Sequence, residues 1–173
     1  ALAMSQDFPA RPKSFSHIIA TNAGGAPLLD RCPLEQALSA EEFERHMANG
    51  AVVIDARDGA AFGGCHIPGA LNIGFEKQLA NWVGTVVSPE ARILLVVNNR
   101  DAFQAMRTEL HRIGYDNILG YLAGGMQTWI YSGRQADRLE QVSAPELAQR
   151  MKASAAPLIL DVRTPPEWSH GHI

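Results

Sequence analysis

The sequence predicts an α/β fold with a mainly parallel β-sheet, and three features support this prediction. Short apolar runs alternate with amphipathic helical segments at the intervals typical of strand–helix–strand units. The runs at residues 51–54 and 93–97 are wholly apolar and rich in β-branched side chains, which indicates strands buried on both faces. Gly50 and Gly114 follow helical segments, and glycine at such positions favours the left-handed turn that ends a helix.

The first helix of the repeating pattern is predicted to begin after Ser39. Ser39 and Glu42 have the spacing of a capping box, in which two side chains satisfy free amides of the first turn. Phe43 and Met47 then fall on one face of the helix. We therefore expect a helix that ends near Gly50 and leads directly into the first buried strand.

A second helix is indicated by apolar residues with i, i+4, i+7 and i+8 spacing. These residues are Phe75, Leu79, Trp82 and Val83. Because such a face packs against a sheet, we expect Trp82 to lie in the core, and Trp129 likewise.

A third helix is expected to be capped by Asp101 and Gln104, which also have the spacing of a capping box. Its apolar face is formed by Phe103, Met106, Leu110 and Ile113. Residues 117–121 can form a third strand, and Gly124-Gly125 then turns into a short helix that contains Trp129.

Charge and length exclude several classes of partner. Fifteen basic and eighteen acidic residues among 173 give a net charge of −3, and no Lys/Arg cluster suggests binding to nucleic acid or an anionic membrane surface. The longest apolar run, 93–97, is far shorter than the roughly 20 residues that span a bilayer. The first residues lack a secretory pattern, so we expect a cytoplasmic protein. Cys32 and Cys65 form neither a disulfide framework nor a metal-binding pattern, so we expect no cofactor in this chain.

The chain contains an internal repeat. Ser39, Ala40, Glu42 and Met47 recur 104 positions later as Ser143, Ala144, Glu146 and Met151. Asp55, Arg57, His66 and Ile67 recur 106 positions later as Asp161, Arg163, His172 and Ile173. An interval of about 105 residues is the length of a domain rather than of a solenoid unit. We therefore predict a preceding segment at 1–34, one complete domain at 35–138, and the truncated start of a second copy at 139–173.

Four motifs in this order resemble the rhodanese-like family. They are residues 53–57, 65–70 and 113–118, followed by Leu122-Ala123-Gly124-Gly125 with Trp129. The resemblance implies a mainly parallel five-stranded sheet flanked by helices on both faces. The recurrence of two motifs near 160–163 and 171–173 implies that the second copy belongs to the same family.

Residues 14–18 and 22–29 resemble the connector that follows a metallo-β-lactamase-fold domain in fusions with rhodanese repeats. Such fusions are similar to persulfide dioxygenases, so non-haem iron or zinc is implied for that absent domain alone. The His-x-His-x-Asp-His motif of that fold does not occur in this sequence. The resemblance makes 1–34 a connector and implies two partners, the metallo-β-lactamase-fold domain and the rest of the second repeat.

The resemblance places sulfur chemistry at the end of the 93–97 strand. A rhodanese transfers sulfane sulfur through a cysteine persulfide, held in a loop whose amides point at the thiolate. Here the strand is followed by Asn98, Asn99, Arg100 and Asp101, and an amide side chain cannot act as the sulfur nucleophile. We therefore expect a degenerate loop, no catalytic residue, no metal site, and a structural or docking role.

The remaining motif residues are interpreted as structural. Asp55 and Arg57 resemble the family's strand-end pair, which braces neighbouring loops through a charge-assisted hydrogen bond. Their recurrence as Asp161 and Arg163 favours architecture over catalysis. The same interpretation applies to His66, Gly124, Gly125, Trp129 and His172.

Two other functions remain open from the sequence. One is an active thiosulfate or persulfide sulfurtransferase, with its cysteine in the rest of the second repeat or with Cys65 or Cys32 used from an unusual position. The imidazole of His66 could lower the pKa of the Cys65 thiol, although neighbours on an extended segment point to opposite sides. The other is an anion- or glutathione-persulfide-binding module that uses Arg100 beside a helix N-terminus.

The truncated second copy is too short to bury its own core. Its apolar residues include Val142, Leu147, Met151, Leu158, Ile159 and Leu160. We expect residues 141–173 to dock on the first domain, to form a homodimer by exchange between protomers, or to be partly disordered.

Overall fold

A five-stranded, wholly parallel sheet lies at the centre of the larger of two compact units, Ala1–Leu139 and Glu140–Ile173. The computed structural model describes residues 12, 14–25, 36–152 and 156–172. The strands are β1 (Ala37–Leu38), β2 (Val52–Asp55), β3 (Leu71–Asn72), β4 (Ile93–Val96) and β5 (Ile118–Leu122). They pair in the order β1-β5-β4-β2-β3, which confirms the predicted α/β class and parallel five-stranded sheet.

Helices flank this sheet within the larger unit. They are α1 (Ser14–Gly24), α2 (Ala40–Ala48), α3 (Gly59–Gly64), α4 (Leu79–Val86), α5 (Arg100–Arg112) and α6 (Gly125–Tyr131). At the start of α2, the Glu42 amide donates to the Ser39 hydroxyl at 3.2 Å, and the Ser39 amide donates to the Glu42 carboxylate at 2.9 Å. The predicted capping box is therefore confirmed.

Alternation along the two central strands separates two cores, one on each face of the sheet. The register pairs Val53 with Leu94 and Ile54 with Leu95, and all four residues are buried. Ile54 and Leu95 belong to a first core that includes side chains of α4 and α5. Val53 and Leu94 belong to a second core that includes side chains of α2 and α6. Helices on both faces are thus confirmed.

Two predictions about the 75–83 segment are wrong. The Phe75 amide donates to the Ala56 carbonyl at 3.3 Å, which continues the pairing of β3 with β2 and keeps Phe75 out of a helix. The helix starts instead at Leu79. Trp82 then lies on its outer side and is 59% exposed, whereas Trp129 is buried as predicted.

The N-cap of α5 is Asn99, not the predicted pair of Asp101 and Gln104. Asn99 has an extended backbone, and its side-chain oxygen accepts a hydrogen bond from the Ala102 amide at 2.8 Å. Asp101 lies inside the first turn, where its negative charge is favourable near the positive end of the helix dipole. The loop between β4 and α5 is therefore restricted to residues 97–99.

The predicted connector contains α1, a helix that no pattern in the sequence indicated. Much of the remaining connector, including Cys32, lies outside the described residues. No helix in the described part of the chain is long and apolar enough to cross a membrane.

The second unit contains two short helices, α7 (Ala144–Arg150) and α8 (Pro165–Ser169). The Ser143 hydroxyl caps α7 by accepting a hydrogen bond from the Glu146 amide at 3.4 Å. Residues 156–163 form no strand, and Leu158 and Leu160 are 98% and 81% exposed. The corresponding positions of the larger unit lie in the buried central strand β2.

Candidate functional site

The carboxyl edge of the sheet is the place where ligands bind in parallel α/β folds, and the degenerate loop lies there. The central strand β4 ends at Val96, and α5 begins at Arg100. Val97 is only 3% exposed and belongs to the first core. Asn98, Asn99 and Arg100 are exposed. The loop therefore presents carboxamides and a guanidinium, and no thiol, at the end of the central strand.

One amide in the first turn of α5 is already hydrogen-bonded within the protein, and the turn also carries a carboxylate. The Asn99 side-chain oxygen takes the Ala102 amide, which is one of the amides that an anion would otherwise use. The Asp101 carboxylate in the same turn adds negative charge. Both features oppose the binding of an anion such as thiosulfate or a persulfide at this position.

Gly124 and Gly125 form a tight turn behind the loop. Their φ angles are +72° and +60°, in the left-handed region that glycine adopts without strain. A Cβ on Gly125 would lie 3.3 Å from the Val97 carbonyl oxygen, so the start of α6 packs closely against the loop. Trp129 further along α6 is buried and donates its indole N–H to the Gln135 carbonyl at 2.8 Å. These three predicted residues have structural contacts here.

Asp55 and Arg57 form a buried ion pair at the end of β2. The Arg57 Nη2 donates to Asp55 Oδ2 at 2.6 Å, and Nε donates to Oδ1 at 2.9 Å. Asp55 is completely buried, and the Arg57 side chain is 10% exposed. Arg57 Nη2 also donates to the Cys65 carbonyl at 2.7 Å, which ties the strand end to the end of α3.

Asn72 completes this network and was missed by the sequence analysis. Its side-chain amide donates to the Asp55 carbonyl at 3.0 Å and to the Arg57 carbonyl at 2.9 Å. The contact joins the edge strand β3 to the turn that follows β2. A lone asparagine in an Ala-Leu-Asn-Ile run has no spacing or motif that would have revealed this role.

His66 is fixed by the segment that precedes it. Its Nδ1 donates to the Phe62 carbonyl at 2.9 Å, and its ring stacks on Phe62 with centroids 4.0 Å apart. Because a carbonyl can only accept, this contact puts a proton on Nδ1. The backbone of His66 also exchanges two 2.8 Å hydrogen bonds with Asp137. These contacts hold the 62–67 segment against the strand-like segment at 137.

Cys65 lies at the end of α3 and not in the loop after β4. Its amide donates to the Ala61 carbonyl at 3.2 Å, and its half-buried side chain packs against the second core. Its carbonyl accepts from Arg57, so its backbone belongs to the ion-pair network. The thiol is therefore held by core packing at a different element from the degenerate loop.

The second unit repeats this set of contacts. Arg163 Nη2 donates to Asp161 Oδ2 at 2.6 Å and to the Gly171 carbonyl at 2.9 Å. His172 Nδ1 donates to the Trp168 carbonyl at 3.1 Å, and the two rings stack 3.6 Å apart. Hydrogen bonds from Arg163 lower the pKa of Asp161 to about 2. Here the pair is exposed, whereas the first copy is buried.

A separate groove of about 510 Å³ lies beside the edge strand β3. Its walls include Leu71, Glu76, Trp82 and Val86, and it contains none of the residues 97–101. Nothing in the sequence indicated this groove, because Trp82 was expected in the core. Within the described residues, no three His, Cys, Asp or Glu side chains are grouped so that they could hold a metal ion.

A comparison with known protein families shows which family this domain belongs to. The model of the rhodanese-like domain matches residues 39–132, which is more than half of the chain. The chain belongs to the rhodanese-like domain family. The matched range contains all six motif positions from Asp55 to Trp129 that were predicted to be structural in the first copy.

Solved structures of low sequence identity share the rhodanese-like fold. The metallo-beta-lactamase from Staphylococcus aureus is 24% identical, with a TM-score of 0.56 over 70% of this chain and 33% of that chain. The rhodanese-like domain of the Alr3790 protein from Anabaena sp. is 17% identical, with a TM-score of 0.53 over 76% and 95%. The BH2092 protein from Bacillus halodurans is 20% identical, with a TM-score of 0.52 over 61% and 78%. No curated protein matches the sequence.

Proposed function

We propose that this rhodanese-like domain is catalytically silent and has a structural and docking role within a sulfur-metabolism fusion protein. The observation that supports this most directly is the end of β4, where Asn98 and Asn99 stand in place of a thiol. Transfer through an enzyme persulfide needs a nucleophile that ionises near neutral pH, and a carboxamide does not.

The length and contacts of the loop support the same proposal. A persulfide is anionic, so its pocket needs several amides that point inward. Of residues 97–99, Val97 is buried in the first core and Asn99 is committed to capping α5. The loop has only three residues, and one amide of the helix that follows it is already taken by Asn99, so fewer amides are available to surround a sulfur anion. The anion-binding alternative loses support for the same reason.

The fusion context rests on the connector resemblance and on the similarity to the Staphylococcus aureus metallo-beta-lactamase, of which this chain spans a third. In that context, iron or zinc belongs to the metallo-β-lactamase-fold domain. The rhodanese-like domain then acts as a scaffold that positions its neighbours. We place the protein in the cytoplasm, which suits a chain with two cysteines and no disulfide framework.

Residues 139–173 are proposed to be the start of a second rhodanese-like copy. The support is the repeated contact set, in which Asp161, Arg163 and His172 make the bonds that Asp55, Arg57 and His66 make in the first copy. An active cysteine, if the parent protein has one, would then belong to the remainder of that copy.

A thiosulfate:cyanide sulfurtransferase assay on this chain tests the proposal, with a matched Cys65→Ser variant and an active rhodanese as the positive control. We expect no thiocyanate above background from either form of the chain. Turnover that disappears in Cys65→Ser would overturn catalytic silence and establish the alternative, an active sulfurtransferase.

Mass spectrometry after incubation with thiosulfate gives a second, independent measurement. A persulfide adds the mass of one sulfur atom to a specific cysteine, so the intact mass reports it even when turnover is slow. We expect no added sulfur on Cys65, because its thiol packs against the second core. A sulfur adduct there would contradict the proposed function.

A further inference from the structure

Helix α1 lies against the larger unit through one face. Ser14, His17, Ile18 and Thr21 have i, i+3, i+4 and i+7 spacing, and they are the residues of α1 that are buried or half-buried. Ser14 is the most buried of them, at 3% exposure, and the helix contacts α4. A serine is thus the most deeply buried residue of this face.

Two glycines make room for this face of α1. A Cβ on Gly84 in α4 would lie 2.3 Å from the Ser14 hydroxyl oxygen and 3.3 Å from the Ser14 Cβ. A Cβ on Gly114 would lie 3.0 Å from Cδ2 of His17. Gly84 is in the middle of α4, where glycine disfavours the helix, and its backbone does not need the left-handed region. The absence of a side chain at Gly84 is therefore explained by the presence of α1.

A buried tyrosine lies beside the contact between α1 and α4. Tyr115 is 1% exposed, and its hydroxyl donates to the Val87 carbonyl at 2.8 Å. Burial raises the pKa of the Tyr115 hydroxyl, and a hydrogen bond with the Ser14 side chain opposes that rise. Tyr115 lies three residues after the end of α5, and its bond to Val87 ties it to the end of α4. A hydroxyl buried this deeply is stabilised only when it has a partner.

From these contacts we infer that Gly84, Gly114 and Tyr115 form a docking site for a helix, and that α1 of the same chain occupies it. The site holds the α1 part of the connector on the domain. The outward face of α1 presents Phe15 and Ile19, which are 43% and 53% exposed. This interface does not depend on whether the domain transfers sulfur.

Hydrogen exchange of the full chain tests the docking from the side of the domain. Gly84→Leu fills the space that Ser14 occupies while keeping a good helix former in α4. The matched control is Gly64→Leu in α3, where an added Cβ meets no atom within 4 Å. We expect the amides of residues 15–24 to exchange about tenfold faster in Gly84→Leu only, with α2 and α5 unchanged.

A second pair of variants tests the docking from the side of α1 and leaves the domain intact. Ser14→Arg places a long charged side chain against Gly84, whereas Ser16→Arg places it on the exposed face of the same helix. We expect the amides of α1 to exchange faster in Ser14→Arg than in the unmodified chain, and at an unchanged rate in Ser16→Arg. Equal protection of α1 in both variants, or no protection of α1 in the unmodified chain, would overturn the inference.

Discussion

Replacing Arg57 by alanine is expected to remove a large part of the stability of the domain. Asp55 is completely buried, and Arg57 satisfies both of its carboxylate oxygens at 2.6 and 2.9 Å. Removal of one partner leaves a buried carboxylate without its counter-charge, which costs about 3–5 kcal/mol. Since domains are stable by roughly 5–15 kcal/mol, this loss lowers the melting temperature by roughly 10–20 °C.

Thermal and urea unfolding followed by circular dichroism measure this effect, and Arg163→Ala is the matched control. The control removes the same side chain from the same contact set, but there the pair is exposed to solvent, which screens it. We expect a much smaller change in Arg163→Ala. A melting temperature that falls equally in the two variants would refute the reasoning that burial makes the difference.

A double variant separates the charge from the packing. Asp55→Leu with Arg57→Met removes both charges and keeps apolar volume, and replacing a buried ion pair in this way is often nearly neutral. We expect the double variant to be more stable than Arg57→Ala alone. If it is the less stable of the two, the hydrogen bond that the Asp55 carboxylate accepts from the Arg57 backbone amide contributes more than removal of the unpaired charge gains.

Three further predictions concern the loop and the second unit. Asn98→Cys is expected to leave the chain without sulfurtransferase turnover, because a thiol on a three-residue loop lacks amides that surround its sulfur. Turnover in the thiosulfate:cyanide assay would show that the cysteine alone is sufficient. Residues 141–173 are expected to drive association through their exposed apolar side chains. Sedimentation velocity should therefore show a dimer, and the double variant Leu158→Glu with Leu160→Glu should dissociate it. A sedimentation coefficient that does not change with concentration would contradict this. The pKa of Asp161 is lowered from its ordinary 3.8 to about 2, because the folded segment favours the ionised carboxylate. This stabilisation is complete above about pH 4 and disappears as the pH falls towards 2. A side-chain carboxyl carbon of Asp161 that titrates near pH 4 by NMR would disprove the contact with Arg163.

The sequence predicted the parts of the fold that have a long or repeated signal. The buried strands at β2 and β4 are continuous apolar runs, and the capping box of α2 has fixed spacing. The edge strands β1 and β3 have two residues each, which is too short for any periodicity. They form only because β5 and β2 offer them backbone partners.

Helical periodicity alone could not distinguish a core face from an exposed one. Phe75 and Trp82 have the spacing of a helix face, but the main chain at Phe75 pairs with Ala56 and shortens the helix. In α1 the apolar side chains are divided between two faces, because Ile18 is half-buried while Phe15 and Ile19 are exposed. No single stripe marked that helix, and its docking depends on glycines that are distant in sequence.

The candidate site was predictable where a residue type decided the chemistry. The absence of a thiol after β4 is readable directly from Asn98 and Asn99. The bracing by Asn72 was not readable, since its two acceptors are main-chain carbonyls, which every residue possesses. Likewise, Asn99 was identified as the cap of α5 only by its extended backbone and its bond to Ala102.

The end of β4 explains how a stable fold is compatible with a loop that carries no thiol. A loop that keeps its amides available for an anion leaves them without partners when it is empty. Here the Asn99 cap satisfies one of them and stabilises α5 by roughly 1 kcal/mol. The buried pair of Asp55 and Arg57 braces the sheet edge through groups that do not include a thiol. The contacts that stabilise this end of the sheet therefore do not require a thiol after β4, and the proposed scaffold role needs only those contacts.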